Sequence, residues 1–280
     1  MSKEFQTKKV PTAVIPDDKL SKVYLSPNII EAVTVDKRSC NIRKFKRVGK
    51  NACVNMSTGE YIEFSKNENL QSKQAHFKKA ANDLRRIINL NFIGDCSEKF
   101  ITLTYCNRME DYNNASEDFK KFWSLFKYRY PNCEYIRILE PQESGSWHIH
   151  VLIKDKTKKN FYVKHEVLSS LWGHGKVWIK NLPFSENFGA YFCAQFNSTD
   201  NSNEESKAIQ KGKRIDYYPS NFKFYTCSKG IEKPKPIVMS HGELKRLVNY
   251  QEPCYAYTNT IADNDVVVNS ITFEQYLNAV

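Results

Sequence analysis

The chain has 280 residues, of which 41% are hydrophobic and 26% charged, and 42 Lys and Arg against 31 Asp and Glu give it a formal net charge of +11. This length allows one elaborated domain or two small ones, and the composition excludes a disordered, collagen-like or low-complexity chain. The positive charge is compatible with a nucleic acid partner without establishing one.

The sequence contains no run of about 18 apolar residues, and its charged first residues lack the apolar region of a signal peptide. The eight cysteines are scattered, with no C-x-x-C pair and no histidine at zinc-finger spacing. These features predict a cytoplasmic protein without a membrane partner. In that compartment we expect reduced cysteines, mostly packed as small apolar groups.

Residues 1–68 are predicted to form a basic, irregularly patterned N-terminal extension. Within it, residues 52–64 have the pattern of a hairpin that turns around Ser57, Thr58 and Gly59. A basic run at residues 43–47 is equally typical of a DNA contact and of a solvated loop. Its candidate DNA-binding residues are Arg43, Lys46 and Arg47.

From residue 69 to residue 235 the sequence alternates between helical and strand patterns. Helices are predicted at 70–90, 116–130, 163–171 and 185–196, and strands at 99–105, 135–140, 147–153 and 176–180. Short turns between strands favour an α+β domain with a central antiparallel sheet and flanking helices. Residues 236–280 predict a C-terminal extension with a helix near 243–249 and a hairpin around 263–265.

The strongest chemical signal is the pattern of Glu140, His148 and His150. The two histidines are two residues apart on a predicted strand, so they project from the same face. The preceding strand is joined by a short turn, and antiparallel pairing would let Glu140 reach that face. Two imidazoles and a carboxylate suit a divalent metal with open positions for a substrate. Histidines packed on the sheet are the alternative, and Glu143 is a less favoured carboxylate.

A basic and aromatic segment follows the last predicted helix of this region. Bases can stack on such rings while cations follow the phosphates of a single strand. A strand edge with its aromatic side chains in the core explains the same pattern equally well. The candidate DNA-binding residues here are Lys211, Lys213, Arg214, Tyr217, Tyr218 and Lys223.

Three ordered segments resemble the motifs of the HUH endonucleases: Phe-Ile-Thr-Leu-Thr-Tyr at 100–105, Trp-His-Ile-His-Val at 147–151, and Gly-Ala-Tyr at 189–191. Within that superfamily the chain is most similar, over roughly residues 40–236, to rolling-circle replication initiators of Gram-positive plasmids and phages. The resemblance implies an RRM-like antiparallel sheet that carries the metal site. It also implies Tyr191 as the nucleophile that forms a 5′-phosphotyrosine link, although periodicity alone does not distinguish this tyrosine from the rest of the sixteen.

The resemblance further implies Mn²⁺ or Mg²⁺ as cofactor, bound by His148, His150 and Glu140, and two imidazoles favour Mn²⁺. Its expected partners are origin DNA, single-stranded at the nick site, and a host helicase and polymerase. Many family members carry a lysine three or four residues after the tyrosine, where this chain has Ala194 and Gln195. Another base can substitute, the tyrosine can work without one, or the activity is reduced. Open alternatives are a relaxase or transposase, a binding-only HUH or RRM-like protein, and a zinc hydrolase.

Overall fold

The computed structural model describes residues 6–12, 14–37, 45–48, 52–55, 59–63, 70–142, 144–182, 187–190, 217–219, 222–263 and 266–278. The chain divides into two compact units. The first comprises Met1–Lys22, Ala32–Asn69 and Val238–Glu274, and the second comprises Val23–Glu31, Leu70–Ile237 and Gln275–Val280. None of the helices in the described ranges has the length and hydropathy of a membrane span.

The described ranges contain both strands and helices. The strands are β1 (Gln6–Val10), β2 (Leu20–Leu25), β3 (Ile29–Val35), β4 (Phe45–Val48), β5 (Ala52–Asn55), β6 (Tyr61–Glu63), β7 (Glu98–Leu103), β8 (Cys133–Pro141), β9 (Trp147–Asp155), β10 (Val177–Asn181), β11 (Tyr225–Cys227), β12 (Ile237–Ser240), β13 (Tyr255–Asp263) and β14 (Val266–Leu277). The helices are α1 (Leu70–Asn91), α2 (Tyr112–Arg129), α3 (His165–Trp172) and α4 (His241–Leu247).

A five-stranded antiparallel sheet of order β10-β7-β9-β8-β11 lies in the second unit. Because both faces of its inner strands are covered, β8 and β9 are hydrophobic over most of their length. Side chains of α1 and α2 join those of the sheet in one core, which includes Leu84, Ile88, Ile101, Phe119, Phe122, Phe126, Trp147, Ile149 and Trp172. This arrangement confirms the predicted α+β class with a central antiparallel sheet and flanking helices.

The start of α2 illustrates how local chemistry sets an element boundary. The Asp111 side chain accepts a hydrogen bond from the Asn114 backbone N–H at 2.8 Å and caps the helix. The helix therefore begins at Tyr112, ahead of the predicted start at residue 116, where the apolar periodicity becomes visible. Pro131 follows its end closely, as predicted.

The prediction that residues 1–68 are irregular is wrong for much of the described part. A six-stranded sheet has the order β1-β13-β14-β3-β2-β12, and a three-stranded sheet has the order β4-β5-β6. The cause lies in long-range pairing, since Gln6 of β1 is opposite Ala262 of β13. Hairpins were easier to predict: β5 pairs antiparallel with β6, and β13 neighbours β14.

The cysteine packing expectation holds only in part. Cys53 and Cys133 are buried, whereas Cys96, Cys106 and Cys254 are exposed. Burial raises the pKa of the Cys133 thiol to about 12, so this thiol stays protonated at neutral pH.

Candidate active site

Strands β8 and β9 bring the predicted acidic and imidazole side chains together. Their antiparallel register places Glu140 opposite His148 and Ile138 opposite His150. In the connecting turn, the Gln142 N–H donates to the Ser146 carbonyl at 2.8 Å. Gly145 has a φ of +81°, a conformation that a side chain disfavours, so a glycine suits this turn. The local sequence thus dictates the register that aligns the site.

The His150 ring is held by three neighbours. Its Nε2 lies 2.8 Å from Glu140 Oε2, and its Nδ1 lies 3.2 Å from Thr102 Oγ1. The Phe100 ring stacks on it with a centroid distance of 5.6 Å and an interplanar angle of 6°. An ionised carboxylate only accepts, so Nε2 carries the proton in this arrangement and Nδ1 accepts from the Thr102 hydroxyl. The imidazole orientation is therefore defined on three sides.

His148 is the second imidazole of the site. Its ring centroid lies 6.3 Å from that of His150, with the two rings at 77°. Burial, followed by the neighbouring His150, lowers the pKa of His148 to about 4, against a small opposing effect of Glu140. The ring is consequently neutral at physiological pH, which is the form that binds a metal.

The chemistry of this donor set fits a divalent ion, because imidazole nitrogen and carboxylate oxygen are ordinary ligands of Mn²⁺. Glu140 and His150 already lie in contact. No three His, Cys, Asp or Glu side chains of the described residues, however, are grouped closely enough to hold one ion. The three-ligand site therefore stays a prediction, and Glu143 lies outside the described residues.

The segment that precedes the predicted nucleophile is anchored on α1. The Gly189 N–H donates to the Asn89 side-chain oxygen at 2.7 Å, and Asn89 Nδ2 donates to Asn187 Oδ1 at 3.0 Å. A Cβ atom at Gly189 would overlap the Arg85 carbonyl oxygen, so glycine permits this close approach. Tyr191 itself lies outside the described residues, as do Ala194 and Gln195.

Sequence reasoning missed three supporting residues of this site, namely Thr102, Phe100 and Asn89. The first two lie on β7, where Thr102 is opposite His150 in the register. A strand-pairing argument extended from β8 to β7 would have found them. Asn89 carries no comparable signal, because its role depends on how α1 packs against a segment about a hundred residues away.

The predicted DNA-binding residues divide into different environments. Tyr218 is only 4% exposed, and its hydroxyl donates to the Leu139 carbonyl at 2.7 Å. Its proposed stacking on DNA is therefore wrong, because the ring is part of the core beside Trp147. Tyr217 and Lys223 are exposed, as is Lys46 on β4, where Arg47 also lies. The remaining candidates lie outside the described residues: Arg43, Lys211, Lys213 and Arg214.

One family model matches part of the chain. Residues 98–200 match the family of replication-associated proteins named after ORF2. The matched segment begins at β7 and includes Glu140, His148, His150 and Tyr191, although it spans less than half of the chain. No curated protein matches the chain.

One solved structure resembles the chain weakly. It is the N-terminal nuclease domain of non-structural protein 1 of minute virus of mice, described with Zn²⁺ coordination in its active-site pocket and DNA recognition at the origin of replication. The identity is 10%, the alignment covers 82% of this chain and 75% of that chain, and the TM-score is 0.18. At that TM-score the likeness carries no argument about this chain.

Proposed function

We propose that this protein is a metal-dependent, site-specific DNA nicking and strand-transfer enzyme that initiates rolling-circle replication of a plasmid or phage in the cytoplasm. The observation that carries the proposal is the contact of His150 with Glu140 at 2.8 Å, with His148 opposite Glu140 in the strand register. This arrangement lies inside the segment that matches the replication-associated family. The Gram-positive assignment rests on the sequence resemblance alone.

In the proposed reaction, the Tyr191 hydroxyl oxygen attacks the scissile phosphorus in line. The new bond joins that oxygen to phosphorus, the bond from phosphorus to the 3′ oxygen breaks, and the tyrosine proton passes through a base or water to the departing oxygen. The products are a 5′-phosphotyrosine link and a 3′-hydroxyl that a host polymerase can extend beside a host helicase. The link conserves the phosphodiester bond energy, so a later 3′-hydroxyl can reverse the step.

A divalent ion bound by Glu140, His148 and His150 would withdraw charge from the phosphate and orient it. The described residues prepare this role in two ways. Thr102 and Phe100 hold the His150 ring, and burial keeps His148 neutral. The buried Gly189 contact fixes the backbone two residues before the nucleophile against α1.

The test is adduct formation with single-stranded origin oligonucleotides in the presence of Mn²⁺. We expect a protein–DNA adduct that survives denaturant and disappears in Tyr191→Phe and in EDTA. Tyr128→Phe is the matched control, since Tyr128 is 92% exposed on α2 and serves no proposed role. An adduct that persists in Tyr191→Phe would overturn the assignment of the nucleophile.

A binding-only protein is the second candidate function. Two observations favour it: the described residues hold no preformed three-ligand group, and Ala194 and Gln195 replace the family lysine. Origin binding that survives EDTA, together with no nick under Mn²⁺ or Mg²⁺, would support this function over the enzyme. Bound Zn²⁺ with hydrolysis of a substrate other than DNA would instead identify a zinc hydrolase, and a preferred transfer or transposon-end sequence would identify a relaxase or transposase.

A further inference from the structure

A cationic groove runs along α1 within the second unit. A cleft of 750 Å³ lies between α1 and the segment from Lys223 to Pro236, and a smaller cleft of 250 Å³ adjoins it. The two share Asp83, Lys223 and Tyr225, so they form one continuous depression. We refer to it as the α1–β11 groove, with Tyr24, Arg86, Lys223, Tyr225, Lys229 and Lys233 as its lining residues in the argument below.

The charge of the groove is strongly positive. Arg86, Lys223, Lys229 and Lys233 line its larger part, where Asp83 is the one acidic residue among the described residues of the lining. Asp83 is offset by Arg86, whose Nη1 lies 3.9 Å from Asp83 Oδ1. No carboxylate in the described part of the chain lies within 4.0 Å of the three lysine ammonium groups, which leaves them to an anionic ligand.

The backbone that carries two of these lysines is rigidly positioned. The Gly230 N–H donates to Glu134 Oε2 at 3.1 Å, and a Cβ at Gly230 would lie 2.5 Å from the Glu134 carboxyl carbon. Asn91 and Glu232 exchange two hydrogen bonds, each 2.9 Å long. Lys229 and Lys233 flank this fixed loop, so binding requires little further ordering of the backbone.

The other two cations are positioned as well. The Tyr112 hydroxyl donates to the Lys223 carbonyl at 2.9 Å and accepts from the Lys223 N–H at 3.0 Å. The Arg86 guanidinium lies 4.0 Å above the Tyr24 ring, and its Nε donates to Glu31 Oε1 at 2.7 Å. Contacts of this kind leave the groove with an arranged set of cations rather than a mobile patch.

We propose that the α1–β11 groove binds the phosphates of single-stranded DNA at a position distinct from the Glu140–His150 pair. The identity of the polymer rests on the proposed function, whereas the anionic ligand follows from the charges. Tyr24 and Tyr225 add aromatic surface beside the cations, a combination that suits an unpaired strand. The groove volume lies within the ~300–1,000 Å³ of small-ligand sites, which suits a short stretch of one strand rather than a duplex.

The test compares Lys229→Ala/Lys233→Ala with the wild-type chain. The affinity for a fluorescent single-stranded oligonucleotide is measured in EDTA at several salt concentrations. Loss of two phosphate contacts should weaken binding about tenfold near 0.1 M salt and reduce the slope of log K against log salt by ~1.4, at ~0.7 per contact. The control Lys156→Ala/Lys159→Ala removes the same charge from exposed positions outside the groove and should leave both quantities unchanged.

Three outcomes would overturn the groove: unchanged affinity and slope, equal loss in the control pair, or loss of duplex binding with single-strand binding retained. Circular dichroism and thermal unfolding verify that both variants are folded. A chain that forms no adduct with Mn²⁺, yet depends on Lys229 and Lys233 for oligonucleotide binding, would refute the nicking function and leave the groove standing. Adduct formation with a groove variant of wild-type affinity would have the opposite meaning.

Discussion

At the scale of single residues, His148 shows how burial prepares a ligand. Its pKa is about 4 in the folded chain, mainly because of burial, against an ordinary value near 6.5 in the unfolded chain. Between those values the unfolded state binds more protons than the folded state. The free energy of unfolding therefore falls as the pH decreases through this window.

We predict that acidification of the metal-free protein from pH 7 to pH 5 removes up to about 2 kcal/mol of stability through His148, less solvent screening. Urea unfolding in EDTA measures this loss for the wild type and for His148→Gln. The difference between their pH profiles isolates His148 from other buried groups such as His241, whose pKa burial also lowers. Parallel profiles would show that His148 titrates alike in the folded and unfolded chains.

At the scale of elements, the approach of the Gly189 segment to α1 decides where the nucleophile begins. The contact buries the Gly189 N–H on Asn89 and leaves no room for a side chain beside the Arg85 carbonyl. An added methyl group must displace the segment, and overpacking of this kind costs typically about 1–3 kcal/mol.

We predict that Gly189→Ala reduces adduct formation at least about tenfold while Mn²⁺ binding is retained, because β8 and β9 are unaltered. Gel analysis of the adduct and calorimetric titration of Mn²⁺ measure the two effects. Gly242→Ala on α4 is the control, since the nearest atom to its added Cβ is Asp17 Cβ at 3.2 Å and alanine favours a helix. Normal adduct yield in Gly189→Ala would show that this contact does not position Tyr191.

Elements with local signals were predictable, and elements with remote partners were not. The periodicity of α1 and the alternation along β9 identified both, and the short turn after Glu140 gave the register of β8 and β9. Strand β1 was missed, because it pairs with β13 more than two hundred residues later. Tyr218 was assigned to DNA because sequence composition does not distinguish a core aromatic from an exposed one.

At the scale of the whole molecule, one acidic side chain joins remote parts of the second unit. Glu31 of β3 is buried and forms ion pairs with both Arg85 and Arg86 of α1. Arg86 also lines the α1–β11 groove, so this acid supports a surface far from it in sequence. A neutral side chain here would leave two poorly exposed guanidinium groups without their shared partner.

We predict that Glu31→Gln lowers the free energy of unfolding by about 2–4 kcal/mol, as measured by urea denaturation. The exposed pair of Lys19 and Asp36, 2.9 Å apart, provides the comparison: Asp36→Asn should cost less than about 1 kcal/mol. Equal losses in the two variants would mean that burial of Glu31 adds nothing to its ion pairs.

The direct contact between Glu140 and His150 has a consequence for how the site exchanges its occupant. Because the metal-free pair is already closed by a hydrogen bond of 2.8 Å, an incoming ion must separate two partners and release the imidazole proton. Occupancy is then a competition between a cation and a proton for the same nitrogen. The protein in metal-poor conditions consequently rests in a self-satisfied state, and the concentration of free metal sets the fraction of chains that are ready to act.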